Sequence, residues 1–207
     1  MTTEVLGGVS GLKVNVDENN NFPVFEAIPG YPTAGGFYTV AGKSGTAAIA
    51  AALATDVTLM SARFAVASSR KAYIHKLRVS ISTLTPGAAG GVPSVLGMQR
   101  YTTTTTPTGG TARTPNQIGP SKGSTSDMFD IRDNNAALTM TGVTFGTEIS
   151  WCDTTTNGVL VSKYEWIFEP KAPVELSAGD GICLRTRQAG PATATWFFTY
   201  TMHWSER

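Results

Sequence analysis

The sequence predicts an all-β protein, an antiparallel sandwich or barrel, and three observations lead to that fold class. Several segments alternate apolar and polar side chains with a period of two, as strands with one buried face do. Clusters of glycine, proline and threonine separate these segments, as in proteins built from many short strands. Only residues 46–54, rich in alanine, have the composition of a helix, and a β region with small side chains is the alternative there.

Two internal segments show the alternation well. In residues 71–83 the predicted inward side chains are Tyr73, Leu77, Val79 and Ile81, and the outward ones are Lys76, Arg78, Ser80 and Ser82. In residues 159–169 the predicted inward side chains are Leu160, Tyr164, Trp166 and Phe168, and the outward ones are Lys163, Glu165 and Glu169.

The C-terminal segment, residues 196–204, gives the clearest strand. Its predicted inward side chains are Trp196, Phe198, Tyr200, Met202 and Trp204. A helix cannot place every second residue on one face over nine positions, and the aromatic and threonine content favours a strand. Further strands are predicted near residues 60–67, 94–100, 137–144, 148–152 and 181–187.

The connections between strands are rich in turn-forming residues. Residues 85–93 predict a loop. Residues 102–126 begin with five threonines and continue with glycines and prolines. A loop of ~25 residues without structure of its own is unusual inside a compact domain, so we expect an exposed excursion that contacts a partner or solvent. Residues 173–182 predict a compact turn between two strands, because Gly179 and Gly181 adopt positive φ without a steric penalty.

The chain divides into an N-terminal arm and one domain. Residues 1–36 are interrupted by glycine and proline too often for a helix, although their short apolar pieces can pair as edge strands. Such a segment has little core of its own, so we expect an extended arm that is disordered or lies on a neighbour. Residues 37–207 are the predicted β-sandwich domain, with at most one short helix.

Composition limits the functions to consider. Charged residues make up 15% of the chain, against about 25% in an average domain. The net charge is +1 and no basic block stands out, which argues against direct nucleic-acid binding. The N-terminus lacks the pattern of a secretory signal, and the longest weakly apolar stretch is too short to span a membrane. We therefore expect synthesis in the cytoplasm.

Candidate chemical groups are few. Cys152 and Cys183 are expected to be free thiols and to act as small buried hydrophobes, because cytoplasmic proteins rarely form disulfides. His75 falls on the apolar side of its strand and His203 on the mixed face of the last strand. No histidine or cysteine pair has the close spacing of a zinc site, so we expect both histidines to be satisfied by hydrogen bonds.

The tripeptide Gly42-Lys43-Ser44 resembles the end of a phosphate-binding loop. That motif requires a glycine at the position of Phe37, a buried strand before the loop, and an aspartate for magnesium. These features are missing from the sequence pattern. The sequence therefore favours a flexible turn here over a nucleotide site.

Carboxylates and tryptophans offer two further alternatives. Asp127, Asp130 and Asp133 lack the dense spacing of a calcium loop, so we expect them to be solvated. The four tryptophans, Trp151, Trp166, Trp196 and Trp204, are expected in the core, and a sugar-binding platform is the alternative. The sequence predicts no catalytic, cofactor-binding or metal-binding residues and no cofactor.

Several motifs together resemble a group of bacteriophage structural proteins of about this length. The motifs are Gly45-Thr46-Ala47-Ala48, Met60-Ser61-Ala62-Arg63-Phe64, Lys76-Leu77-Arg78-Val79, Gly109-Gly110-Thr111-Ala112-Arg113-Thr114-Pro115, and Leu176-Ser177-Ala178-Gly179-Asp180-Gly181-Ile182 followed by Trp196 and Trp204. The resemblance covers about residues 40–207 and leaves out the arm. It implies a jelly-roll-like β-sandwich that serves as a head or tail component.

The leading hypothesis is a non-enzymatic virion protein that decorates or cements a capsid. We expect it to assemble as a homo-oligomer, such as a trimer, and to contact other virion proteins, with no membrane or direct nucleic-acid partner. A tail, adaptor or baseplate component is the alternative within the virion. A carbohydrate-binding module for host attachment is the alternative from another class.

Overall fold

The structure is a computed structural model that describes residues 5–7, 12–14, 36–44, 53–85, 94–118, 125–128, 130–134, 137–154, 161–167, 173–189 and 195–207. The backbone alone is described at residues 5–7, 12–14, 83–85, 94, 150–154, 161–164 and 166. Most of the candidate helix at 46–54 and of the loop at 85–93 lies outside the described residues, as do most residues of the arm.

The described residues form fourteen strands and contain no helix. The strands are β1 (Val5–Gly7), β2 (Leu12–Val14), β3 (Phe37–Lys43), β4 (Thr58–Arg63), β5 (Ala72–Thr85), β6 (Ser94–Thr103), β7 (Thr111–Arg113), β8 (Asn116–Gln117), β9 (Asp130–Asp133), β10 (Val143–Thr154), β11 (Val161–Ile167), β12 (Val174–Leu176), β13 (Asp180–Thr186) and β14 (Thr195–Glu206). No helix in the described part of the chain is long and apolar enough to cross a membrane.

Two six-stranded sheets contain most of these strands. Sheet 1 has the order β10-β6-β13-β4-β9-β7, and sheet 2 has the order β11-β5-β14-β3-β8, with β12 also paired to β5. Strands β1 and β2 pair with each other as a separate two-stranded sheet. All the described strand pairs are antiparallel.

Eight of the strands form four pairs, and each pair joins a strand from the first half of the domain to one from the second half. Strand β3 pairs with β14, β4 with β13, β5 with β11, and β6 with β10. Successive strands from β3 to β6 alternate between the two sheets. This is the strand order of a jelly roll, and the predicted fold class is confirmed.

The core lies between the two sheets and is lined by alternate residues of their strands. In β14 the predicted inward set is buried, with Trp196 5% exposed and Trp204 0% exposed. The inner positions of sheet 1 are supplied by residues such as Met60, Met98 and Leu184. The structure therefore confirms the alternation predicted for the last strand.

The predicted inward face of β5 is correct along most of the strand and wrong at its start. A bulge in the β14 pairing places Trp204 opposite Ile74, whereas His203 lies opposite Lys76. Ile74 therefore joins the core cluster, while Tyr73 is covered by Arg207 on the other face. The parity of the sequence could not show this, because a bulge shifts the alternation by one residue.

The described strands of the predicted excursion at 102–126 pair with the two sheets of the domain. The excursion belongs to the β6–β10 connection, which we define as residues 104–142. Within it β8 extends sheet 2 beyond β3, while β9 pairs with β4, and β7 pairs with β9 in sheet 1. The strand predicted at 137–144 is also wrong, since Thr139 makes only an isolated bridge to Thr108 and β10 begins at Val143.

The compact turn predicted at 173–182 is confirmed at residues 177–179, whereas Gly181 lies within β13 and has no positive φ. Strand β12 ends at Leu176, and Gly179 has a φ of 81° before β13 starts at Asp180. Only glycine adopts this left-handed conformation without strain. The Gly179 amide is held by the Phe64 carbonyl at 3.3 Å, so the turn is fixed to the residue that follows β4.

Candidate functional site

The described carboxylates of the domain pair with arginine or lysine rather than facing solvent alone. Nine aspartate and glutamate side chains are described, and each forms an ion pair with an arginine or a lysine. The pairs are Asp56 with Arg185 and Arg187, Asp127 and Glu206 with Arg70, Asp130 with Arg63, Asp133 with Arg113, Glu148 with Arg187, Glu165 with Lys76 and Arg78, Glu175 with Lys71, and Asp180 with Arg100.

Asp133, at the end of β9, is one of the two most deeply placed of these carboxylates, with its side chain 1% exposed. Arg113 of β7 donates to it from Nε at 2.7 Å and from the NH2 nitrogen at 2.9 Å, a bidentate geometry. The Tyr200 hydroxyl of β14 donates to the same carboxylate at 3.0 Å. Burial and the neighbouring charge of Asp133 raise the pKa of Tyr200, so this hydroxyl stays a donor. The contact ties sheet 1 to sheet 2.

Gly42 leaves the space that this contact needs. A Cβ at position 42 would lie 2.1 Å from Asp133 Oδ2 and 2.4 Å from the Tyr200 ring. The residue also pairs with Tyr200 as part of β3, and the amide of Ser44 donates to the Phe198 carbonyl at 2.9 Å. The predicted flexible turn at Gly42-Lys43-Ser44 is therefore wrong, because these residues continue the pairing of sheet 2.

A second ion pair joins the β6–β10 connection to β4. Arg63, at the end of β4, lies 2.6 Å from Asp130 and also donates to Thr106 at 3.2 Å. The side chain of Arg63 is only 6% exposed, so the pair is largely shielded from solvent. Thr106 in turn donates to Asp130 at 3.3 Å.

A third cluster surrounds Glu206, whose side chain is 0% exposed. The Trp204 indole donates to Glu206 at 2.9 Å, the Asp127 amide donates at 3.0 Å, and the Ser126 hydroxyl also donates to it. Arg70 lies 3.3 Å from Glu206 and also pairs with Asp127. These contacts supply the donors that a buried carboxylate requires.

The prediction that Asp127, Asp130 and Asp133 are solvated is therefore wrong. Each one pairs with a different arginine, and each pair spans residues distant in the chain. For Asp127, burial alone raises the pKa, but the hydrogen bonds from Arg70 and Ser68 outweigh that effect and hold the pKa below its ordinary value. The described residues contain no cluster of histidine, cysteine, aspartate or glutamate suited to a metal ion.

All three clusters involve residues of the β6–β10 connection. The strands of this connection lie on one lateral side of the sandwich, which we call the capped side. It consists of β7, β8 and β9, which cover the outer edges of β3 and β4. The opposite lateral side, which we call the open side, consists of β10 and β11, the terminal strands of the two sheets. No described strand pairs with the outer edge of β10 or β11.

A groove of about 670 Å³ runs along the open side, between the edge of sheet 1 and the segment that enters β12. Its apolar lining includes Ile149 of β10 with Pro173 and Val174, and its charged lining is Arg100, Glu148 and Glu175. The pairing of β10 with β6 shifts twice between Phe145 and Ser150, so the strand bulges where it lines the groove.

The end of the groove adjoins a charged cluster at the β12–β13 turn. Asp180 accepts from Thr102 at 2.7 Å, from the Ser177 amide at 3.0 Å, and from Arg100. Burial alone raises the pKa of Asp180, but these hydrogen bonds outweigh it and hold the pKa below its ordinary value. Arg100 remains partly accessible, with 44% of its side chain exposed.

Comparison of the chain with protein-family models, curated proteins and solved structures finds no match.

Other described residues considered in the sequence analysis are also buried or hydrogen-bonded within the domain. Cys183 is a buried free thiol, and burial raises its pKa to about 12. His75 lies 2.8 Å from the Ser205 hydroxyl, as its predicted hydrogen bonding requires. Trp196 and Trp204 are core residues and cannot form a sugar platform, whereas the side chains of Trp151 and Trp166 and of Cys152 lie outside the described residues.

The sequence interpretation missed the arginine–carboxylate clusters. Arg63 and Asp130 are 67 residues apart, so no local spacing shows that they meet. One signal was available: three aspartates occur within seven residues of a chain that has few charges. Such a density in a supposed loop can indicate partners elsewhere in the fold as well as solvation.

Proposed function

We propose that this chain is a non-enzymatic structural protein of a phage virion, a homo-oligomeric protein that decorates or cements the capsid. The observation that carries the proposal is the pairing of all nine described carboxylates with arginine or lysine. In this arrangement the charged groups hold the domain together. The resemblance to phage structural proteins and the jelly-roll strand order support the same proposal, although a fold alone does not determine a function.

The contacts of the carboxylates favour a structural role over acid–base catalysis. A general acid or base must reach a substrate proton from a cavity. The most buried carboxylates here, Asp133 and Glu206, are already enclosed by donors from two or three elements. Removing either carboxylate would leave buried donors without acceptors, so these groups stabilise the domain.

The outer face of sheet 2 suits contact with other proteins. Its half-buried residues include the small neutral side chains Thr39, Ser80, Ser82, Thr199 and Thr201, while its charged residues Lys76, Arg78 and Glu165 pair with one another. Neutral side chains of this size can be covered by another protein without the desolvation penalty of charged groups. This face therefore supports a proposal of assembly with further copies or other virion proteins.

Immunogold labelling of purified particles tests the virion proposal. Antibodies raised against this chain should label many sites on the head of the phage that encodes it, because a decoration protein is present in many copies. Labelling confined to the tail would replace decoration with a tail, adaptor or baseplate role. Recovery of the chain only in fractions without particles would contradict the proposal.

Carbohydrate binding is tested separately on a glycan array. We expect no binding above the level of a heat-unfolded control, because the core position of Trp196 and Trp204 removes half of the candidate aromatic platform. Specific glycan binding would favour the host-attachment alternative. A Trp204→Phe variant is not needed for this test, since that side chain is fully buried.

A further inference from the structure

The open side presents two strand edges with which no further described strand pairs. Strand β10 has twelve residues and β11 has seven, and each pairs with another described strand along one edge only. The outer edge of such a strand carries backbone donors and acceptors that can pair with an added strand. On the capped side the corresponding edges are occupied by strands of the β6–β10 connection.

The groove next to β10 provides places for side chains of an added segment. Ile149 and Val174 pack against the core with part of their surface still accessible, and Pro173 lies beside them. Gly146 and Thr147 lie in the bulge without a register partner in β6, and both are exposed. An extended segment could therefore pair with the β10 edge and place alternate apolar side chains in the groove.

The N-terminal arm has the chemistry of such a segment. It contains valine and phenylalanine separated by polar residues, as in Val14-Asn15-Val16 and Val24-Phe25. Strands β1 and β2 show that part of the arm adopts extended structure, and in the described residues they pair only with each other.

Charge and length also fit the arm. Residues 1–36 contain four acidic residues and one lysine, a net charge of −3, whereas the remaining residues contain 15 basic and 11 acidic residues, a net charge of +4. Opposite net charges favour the approach of the arm to a domain, whereas contact in the groove itself depends on its apolar side chains, because its charged lining is Arg100, Glu148 and Glu175. Residues 15–35 link β2 to the start of the domain and span up to ~70 Å when extended, against about 30 Å across six strands.

We infer that the open side of one copy receives the N-terminal arm of a second copy of this chain. The inference rests on the proposed homo-oligomeric function and names the surfaces that form the oligomer. Each copy carries one arm and one open side, so arm exchange around a ring satisfies every copy, as closed symmetry requires.

Isotope-coded photo-crosslinking of the full-length protein tests this inference. A benzophenone amino acid replaces Thr147, which is exposed in the bulge. Unlabelled and ¹⁵N-labelled copies are mixed, dissociated, reassembled, irradiated and digested. We expect cross-links from position 147 to peptides of residues 1–36, with about half of them joining one unlabelled and one labelled peptide, as random mixing predicts for exchange between copies.

Two other cross-linking results would overturn the inference. Cross-links to the arm within one isotope only would show that each domain binds its own arm. Cross-links to peptides that contain neither residues 1–36 nor the groove lining, with none to the arm, would show that another segment occupies the groove. A protein that is monomeric at all concentrations would instead contradict the proposed homo-oligomer, so the two failures are distinguishable.

A pair of matched variants gives an independent test by sedimentation velocity. Thr147→Arg fills the groove, whereas Thr144→Arg places the same side chain at another exposed threonine of β10 that does not line it. We expect Thr147→Arg to weaken oligomerisation by about tenfold or more, equivalent to about 1.4 kcal/mol, and Thr144→Arg to leave it unchanged. Equal effects of the two variants, or no effect of either, would contradict docking in the groove.

Discussion

The capped and open sides of the sandwich close the same jelly roll in different ways. On the capped side β7, β8 and β9 extend the sheets, and Asp130 and Asp133 pair with arginines at low exposure. On the open side β10 and β11 end the sheets, and Glu165 pairs with Lys76 and Arg78 near the surface. The difference indicates that the chain uses its few charges to hold its own long connection, and it agrees with our proposal that the other lateral side receives a segment of a second copy.

The largest expected effect breaks the capped side at Asp133. Asp133→Ala removes the acceptor of both Arg113 and Tyr200, and we expect it to lower the free energy of unfolding by about 3–5 kcal/mol, as for other broken buried pairs. Urea denaturation of the full-length protein measures this. The matched control is Glu165→Ala on the open side, where the ion pair is screened by solvent and we expect no measurable change.

Equal losses of unfolding free energy in these two variants would show that the ion pairs of the capped side stabilise the fold no more than those of the open side. A loss in Glu165→Ala alone would reverse the comparison.

A smaller effect is expected at the Glu206 cluster. Trp204→Phe keeps an aromatic ring in the core and removes the indole donor to Glu206. We expect a loss of about 1–3 kcal/mol, the usual consequence of leaving a buried polar group without a partner. Trp196→Phe, at the other end of the same face of β14, controls for the change in ring size. Matching losses would mean that only the volume of the ring matters.

Lowering the pH should reduce the free energy of unfolding through carboxylates on both sides of the sandwich. The pKa values of Asp127 on the capped side and Asp180 near the groove are lowered in the folded protein from the ordinary value of 3.8. A group with a lowered folded pKa stabilises the fold above its unfolded pKa, and this contribution is lost as the pH falls through the folded pKa. We therefore expect the aspartate contribution to stability to disappear below pH 3.8.

The two histidines add an earlier phase of acid sensitivity. Burial lowers the pKa of His75 and of His203, with smaller contributions from neighbouring positive charges. Their contribution is therefore present above pH 6.5 and is lost as the pH falls through the lower folded values. Unfolding free energies measured from pH 7 to pH 2 should show both phases. In Asp180→Asn the decline of the unfolding free energy below pH 3.8 should be less steep. An unchanged slope would show that Asp180 does not contribute to the loss of stability in acid.

Sequence patterns predicted the parts of the fold that depend on local alternation. The face of β14 from Trp196 to Trp204 follows directly from its period of two. The strands of the capped side could not be predicted this way. Strands β7 and β8 have three and two residues, which is too short to show an alternation. They form because they pair with the edges of β9 and β3, which are distant in the chain or set by tertiary contacts. Likewise, the shift in the pairing of β5 with β14 that brings Ile74 into the core depends on tertiary contacts.

Hydrogen–deuterium exchange in the wild-type protein and Asp133→Ala tests the central claim most directly. We predict that β9 exchanges as slowly as β4 in the wild type, because the β6–β10 connection is part of the sandwich. In Asp133→Ala, exchange should accelerate at residues 111–117 and 130–133 and remain unchanged at residues 143–154 and 161–167. Fast exchange of β9 in the wild type, or equal acceleration on both sides in the variant, would contradict the claim that buried ion pairs hold the capped side.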